Sequence, residues 1–422
     1  MSEYNCQSSP VQSSPVRDSV SKSHNGKALI VTLIAPVGNY GNILQHYALQ
    51  EAVKALGYEA ESLDCPFLEH EELTALEKTA IFFNRIRKFV LVLAGNRYYR
   101  EKLLKKFARE EKTQQTDTPK PDALDDLKRG ELFQEFYREY FGKIIHSTYR
   151  ETLSADSSTW DEYDYVIAGS DQIWNRGLIR SFEALRYYYL EFVAQDKRVN
   201  YAPSFGDFGM SSLKFPDRLE HRKGLNGFKK LSCREEEGCD LIRELTGRDA
   251  QLVLDPTFLL TAEQWRKIAR KPEYEVPAHY ALEYSFLAPS MVQPCAEKLA
   301  GGLPIVNAFD YRCGSQNYAM TGPREFLWLV DHADVVITSS FHGTAFSVIF
   351  GKRFVSLKAG SQFSRVKTIL SGISLTDRIF AITDDPDSSN IVNVPVDYEA
   401  ANEKLAALRE KSMRYLADCL GR

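Results

Sequence analysis

The sequence predicts an α/β protein with two doubly wound domains, and three observations carry that prediction. Short apolar runs rich in β-branched residues alternate with helical stretches through both halves of the chain. The runs are continuously apolar, which suits strands buried on both faces of a parallel sheet. The length, 422 residues, favours two or three domains over one.

KALIVTLI (Lys27–Ile34) is the first strand. GNYGN turns the chain into ILQHYALQEAVKALG, a helix with Leu44, Ala48, Ala52, Ala55 and Leu56 on one face and Gly57 as its stop. YEAESLD (Tyr58–Asp64) is the second strand and completes a strand–loop–helix–strand unit. Residues 66–150 interrupt the pattern as a charged, helical insertion. Between Ile81 and Glu110 nine Lys or Arg stand against two Glu, and Ile86, Phe89, Val90 and Leu93 recur at helical spacing. Such a segment either packs on the sheet domain or presents a basic amphipathic surface to an anionic membrane or polymer.

The sheet pattern resumes at YDYVIAG (Tyr163–Gly169) and continues through KRVNYAPSFG (Lys197–Gly206) and FKKLSCREEEG (Phe228–Gly238). A change of domain is expected near Thr246–Asp249. HYALEYSFL, LPIVNAF, DVVITSS and KRFVSL are the strands of the second half. Tyr398–Leu420 is one amphipathic helix with Leu405, Leu408, Leu416, Cys419 and Leu420 on one side. The expected organisation is a tail (1–25), an N-terminal domain (26–248) carrying the insertion, a C-terminal domain (249–396) and a terminal helix (397–422). The tail repeats QSSPV, at Gln7–Val11 and Gln12–Val16, and is too poor in apolar residues to build a core, so disorder is expected there.

Composition narrows the function classes. Hydrophobic residues make up 44% and charged residues 26%, ordinary for globular cores. A net charge of −4 argues against a general nucleic-acid binder. The seven cysteines are odd in number, scattered and without CxxC spacing, which reads as reduced thiols in a cytoplasmic protein. No apolar run approaches the roughly 20 residues that span a bilayer, and no charged-then-apolar signal pattern opens the chain.

In doubly wound sheets ligands bind beyond the carboxyl ends of the strands, so the loops there carry the chemistry. Four stand out. Gly38-Asn39-Tyr40-Gly41-Asn42 lets backbone approach a ligand closely and leads into a helix N-terminus, although a lone GxxG is also simply a tight turn. Gly169-Ser170-Asp171-Gln172-Ile173-Trp174-Asn175 combines an aromatic face with planar polar groups, as a sugar site does; equally, Ser170 or Asp171 caps a helix and Trp174 is core. Arg234, in Ser232-Cys233-Arg234-Glu235, forks onto a phosphate or carboxylate, or pairs with a neighbouring Glu. Finally, Val335–Thr338 ends in Ser339-Ser340-Phe341, and His342, one of eight histidines, opens a helix with Gly343. An anion is drawn to such a helix start, whereas an imidazolium is disfavoured there unless an anion is bound. Downstream, Ser364-Arg365 precedes another helix, and Arg365 is either a second anion ligand or a surface residue.

These pieces, in order, resemble the polysaccharide pyruvyl transferase family. GNYGNILQHYALQ, YVIAGSDQIWN, YAPSFG, REEEG, VLDPTFLL, DVVITSSFHGTAFSVIFGKRFV and Ser364-Arg365 carry the likeness, from roughly Ala28 to Ile379. The resemblance implies two facing Rossmann-like domains, as in GT-B glycosyltransferases. It implies phosphoenolpyruvate as donor, with no other cofactor, and a carbohydrate acceptor, free or lipid-linked. The product would be a pyruvate ketal on a cell-surface polysaccharide or exopolysaccharide precursor. By position His342 matches the donor-site histidine, and Arg234 and Arg365 match basic positions suited to the donor's phosphate or carboxylate. Ser340, Gly343, Thr344 and Ser364 are expected around the donor, and Asn39, Asn42, Gln45, Gln172, Trp174 and Asn175 as acceptor or loop contacts. Asp171 is the expected base or acceptor contact, with Glu235 as second choice, and His342 the general acid or phosphate ligand. No metal-ligand spacing such as HExxH occurs. A nucleotide-sugar glycosyltransferase and a non-catalytic glycan-binding relative are the competing readings. The expected setting is cytoplasmic, with the inner membrane face in reach of the basic helices.

Overall fold

A computed structural model describes residues 26–34, 38–65, 123–206, 209–309, 318–358, 363–383, 391 and 393–422. The expected disordered tail and the basic run of residues 81–110 lie outside them.

Two five-stranded parallel sheets form the frame. The first contains β1 (Gly26–Val31), β2 (Tyr58–Asp64), β3 (Ile144–His146), β4 (Tyr165–Asp171) and β5 (Arg198–Pro203) in the order β3-β2-β1-β4-β5. A short parallel pair, β6 (Ser232–Cys233) and β7 (Gln251–Leu252), follows β5, with the Ala202 amide donating to Ser232 Oγ at 3.1 Å. The second sheet contains β8 (Ala281–Tyr284), β9 (Ile305–Asn307), β10 (Val335–Thr338), β11 (Arg353–Lys358) and β12 (Ile379–Ala381) in the order β12-β11-β10-β8-β9. The central strands are buried along most of their length, as their apolar runs require.

Each sheet reverses its winding once. In the first the chain runs outward through β1, β2 and β3, then returns to β4 on the other side of β1. In the second the reversal lies between β8 and β10. Both switch points open at carboxyl strand ends, where a doubly wound sheet leaves a crevice. Helix α1 (Tyr40–Ala55) starts beyond the end of β1. Its counterpart in the second domain, the helix Phe341–Ile349, starts beyond the end of β10.

The two domains share a core. Helix α2 (Ala123–Tyr140) and helix α3 (Pro323–His332) meet across it, together with α1 and helix α4 (Phe341–Ile349). Tyr40, Phe133, Phe326 and Phe346 belong to a single buried cluster. Tyr40 stacks on Phe326 with centroids 4.5 Å apart and an interplanar angle of 8°. Its hydroxyl donates to the carbonyls of Ala308 and Thr321, at 2.8 and 3.1 Å. The facing Rossmann-like arrangement is therefore held by aromatic burial as well as by covalent connection.

Two boundaries differ from the sequence reading. The expected insertion of residues 66–150 includes β3, a three-residue strand of the first sheet, so this part of the segment belongs to the sheet. A strand this short leaves no periodicity to read. The first domain also runs past the expected change near Thr246–Asp249, because β7 still pairs with β6.

Helix α5 (Ser364–Gly372) follows β11, and helix α6 (Tyr398–Cys419) closes the chain. Helix α6 begins on the second domain, where Ala401 and Leu405 join the shared core. It ends on the first, where Tyr415, Leu416 and Leu420 pack with Ile30, Val53 and Tyr201. Among the described residues no helix is long and apolar enough to cross a membrane. Leu416 is fully buried, so Leu416→Ala should cost about 2–5 kcal/mol of stability, read as a lower urea midpoint.

Candidate active site

The loops beyond the two switch points meet around one guanidinium. Arg234, directly after β6, has a side chain with 0% exposure. Its Nη1 donates to Asp255 Oδ2 at 2.6 Å and its Nη2 to Asp171 Oδ1 at 3.1 Å. Its face lies over the Phe341 ring, 5.4 Å from the centroid. Asp171 ends β4 with a φ of 70°, a left-handed conformation that Asp tolerates better than most residues. Its second oxygen accepts from Asn42 Nδ2 at 2.8 Å. The first oxygen of Asp255 accepts from the Thr257 amide and hydroxyl, at 3.0 and 2.8 Å.

His342 closes this group from the second domain. Its Nε2 lies 3.9 Å from Asp255 Oδ2, is buried, and makes no hydrogen bond. Across the domain junction the ring lies hard against Gly41: a Cβ on Gly41 would sit 1.9 Å from His342 Nδ1. The N-termini of α1 and α4 thus converge here, and neither carries an acidic residue in its first turn. The Asn39 side chain caps α1, and the carboxylates near these positive dipole ends, Asp171 and Asp255, come from other loops.

Burial and charge set the protonation states together. Burial pulls His342 down to about 4; the carboxylates of Asp255 and Asp171 oppose this, while Arg234 and Arg365 reinforce it. Burial alone would raise the Asp171 carboxyl, but Arg234, His342 and the Asn42 hydrogen bond outweigh it and hold it below its ordinary value. Asp255 behaves likewise: burial is overcome by His342, Arg234 and the Thr257 hydrogen bonds. Glu235 goes the other way, raised by burial despite Arg234 and Arg365. Its Oε1 accepts from the Phe205 amide at 2.9 Å, while its buried Oε2 has no hydrogen-bond partner.

The structure sorts the residues singled out from sequence. His342, Asp171, Arg234, Glu235 and Asn42 come together, and Arg365, in the first turn of α5, acts electrostatically on three of them. Ser364 Oγ, beside it, is buried without a hydrogen bond. Ser340 sits at the α4 N-cap without making a side-chain capping bond. Thr344 spends its hydroxyl on the Ser340 carbonyl and Ser356 Oγ, at 3.1 and 2.7 Å. Gly343 is required by packing, since a Cβ there would meet Thr338 Oγ1 at 2.2 Å. Asn39 caps α1 by accepting from the Asn42 amide at 3.1 Å, and Gln45 donates to Thr32 and to the Asn42 carbonyl. Gln172 and Asn175 bond each other at 2.6 Å.

Trp174 differs from the sugar-facing aromatic considered above. It is fully buried, stacked on Tyr189 with centroids 5.3 Å apart, so its face is used by the core. Arg234 also differs from a simple anion clamp, because Asp171 and Asp255 already occupy its two terminal nitrogens. The sequence alone does not single out Asp255 as a site residue, and it reads Gly41 as a close approach to a ligand, whereas the structure sets it against His342. The Asp-Pro-Thr in VLDPTFLL was the available signal for Asp255, because Asp before Pro-Thr at a helical start marks a capping carboxylate.

The family model for polysaccharide pyruvyl transferase matches residues 39–360. No curated protein matches the sequence significantly. Among solved structures, the UDP-N-acetylglucosamine 2-epimerase of Rickettsia bellii is similar at 8% identity, covering 94% of this chain and 98% of its own, with a TM-score of 0.46. The UDP-GlcNAc 2-epimerase of Neisseria meningitidis is similar at 9% identity, with coverage of 92% and 94% and a TM-score of 0.42.

Two expectations follow from the geometry. Arg234→Met strands two buried carboxylates and should cost roughly 3–5 kcal/mol in a urea titration. The second concerns pH. His342 is held at about 4, below its ordinary 6.5, so its contribution to stability is fully present above about pH 6.5 and is lost as pH falls toward 4. His46 and His221, both at about 3, add to the same acid slope. His342→Asn should therefore reduce, without abolishing, the loss of stability between pH 6.5 and 4.

Proposed function

The chain belongs to the polysaccharide pyruvyl transferase family, and on that premise we propose that it transfers the pyruvyl group of phosphoenolpyruvate to two hydroxyls of a surface polysaccharide or its precursor, forming a ketal. The observation that carries this reading is the buried, unpartnered Nε2 of His342 at the junction of two helix N-termini, 3.9 Å from Asp255. An anionic donor needs positive charge that is not already consumed. Arg234 is neutralised by two carboxylates, so that charge comes from the helix ends and a protonated His342.

The chemistry then balances through one imidazole. The arriving phosphate raises the affinity of His342 for a proton. Nε2–H donates that proton to the methylene carbon, which becomes the methyl group. The first sugar hydroxyl bonds to the adjacent carbon, and its proton replaces the one His342 gave. The second hydroxyl bonds to the same carbon as the carbon–oxygen bond to phosphate breaks, and its proton leaves with the phosphate. Asp255 and Asp171, held ionised, stabilise the imidazolium while it exists. Arg234 positions those two carboxylates, and Arg365 holds the donor.

Four measurements test this reading. Phosphate release from phosphoenolpyruvate with lipid-linked and nucleotide-linked glycans should fall roughly 100-fold or more in His342→Ala. Near-normal turnover in a folded variant removes His342 from the mechanism. Arg365→Ala should weaken phosphoenolpyruvate binding about tenfold or more by calorimetry. Because His342 is neutral in the empty site, donor binding takes up a proton, so affinity should tighten as pH falls from 8 to 7. That trend should disappear in His342→Asn. Thermal shifts with a nucleotide-diphosphate sugar in place of phosphoenolpyruvate would favour the glycosyltransferase reading instead.

A further inference from the structure

Outside the Arg234 cluster, on the same edge of the first sheet, lies a cavity of about 450 Å³. Ile34, just beyond β1, and the last residues of β2 and β3, Asp64 and His146, contribute to its lining, with α2 forming another part. This volume falls in the range of small-ligand sites.

Asp64 is the unusual group in it. The register sets Asp64 directly beside His146, and His146 Nδ1 donates to Asp64 Oδ2 at 3.1 Å. The other oxygen, Oδ1, is buried and has no hydrogen-bond partner. A buried acceptor in that condition costs free energy until a donor reaches it. Burial also raises the Asp64 carboxyl, against the opposing effect of His146. Tyr137 and Phe141 line the same cavity as adjacent rings, with centroids 4.9 Å apart, and Gln134 and Arg138 add side-chain donors. An aromatic wall, a lone acceptor and planar donors together suit a hydroxyl-bearing ring better than an anion or an apolar group.

We propose that this cavity seats a sugar ring of the acceptor glycan, with Asp64 Oδ1 accepting from a ring hydroxyl and Tyr137 covering a ring face. The assignment rests on the carbohydrate acceptor proposed above. Strand β2 lies two places from β4 in the sheet, so the ends carrying Asp64 and Asp171 are separated laterally by about 10 Å. A glycan seated at Asp64 can thus extend along the strand ends toward the Arg234 cluster.

The test is saturation-transfer NMR on the full chain, using methyl glycosides of hexoses and N-acetylhexosamines as probes, with and without phosphoenolpyruvate. The expected result is binding that weakens about tenfold or more in both Asp64→Asn and Tyr137→Ala and persists in His342→Ala. Circular dichroism of each variant verifies folding. Absence of glycoside binding in the unsubstituted protein overturns the assignment, as does binding unchanged in both cavity variants. Calorimetry with phosphoenolpyruvate on the same samples separates the two readings. Glycoside binding without donor binding sinks the donor reading and leaves the cavity standing. Donor turnover with an unchanged acceptor KM in the cavity variants sinks the cavity alone.

Discussion

The buried guanidinium of Arg234 is the constraint on which the rest of the site depends. Taking one cation and two carboxylates out of water costs several kcal/mol per ion before their attraction is counted. The arrangement survives because each charge is hydrogen-bonded within a rigid frame. Arg234 follows β6, Asp171 ends β4, and Asp255 begins the helical turn Pro256–Leu259 just after β7. The Thr257 amide and hydroxyl hold Asp255, and Asn42 holds Asp171 from the first turn of α1. One side chain thus fixes three loops that enter the site from different directions, and the His342 ring is set beside them.

This coupling also explains why the site is electrically asymmetric. The terminal nitrogens of Arg234 already pair with protein carboxylates, while the dipole ends of α1 and α4 point into the same region with no acidic residue in their own first turns. An anion entering there would meet backbone and imidazole where the sequence alone suggests an arginine fork. The positive φ of Asp171 belongs to the same economy of position: an extended residue there would direct its carboxylate elsewhere.

Much of this was legible in the sequence because burial and turn chemistry leave local marks. Continuous apolar runs located the central strands, and polar residues at their ends located the four loops. His342 was identifiable because its strand, turn and helix are contiguous. Contacts across long separations left no such mark. Arg234 meets Asp171 from 63 residues away, so its neutralised state was invisible. Trp174 has the same local setting whether it faces a sugar or the core, and only packing against Tyr189 decides. The contact between Gly41 and His342 joins two domains, and a lone GxxG does not announce it. His146 carries no local mark because β3 is too short to show a period, and Asp64, at the end of a strand the sequence does reveal, is distinguished only by that distant partner.

Helix α6 has a consequence for the order in which the molecule is made. The first domain's core is completed by Tyr415, Leu416 and Leu420, and the Tyr58 hydroxyl donates to the Leu420 carbonyl across 362 positions of chain. During synthesis, strands β1 to β5 emerge long before the residues that finish covering them. Domains commonly fold one after another from the N-terminus as they leave the ribosome. Here the first sheet must wait with part of its apolar face open until the second domain has been translated and α6 has crossed back. That interval is when the nascent chain exposes most surface to wrong partners, and it closes with the arrival of the final turn of helix.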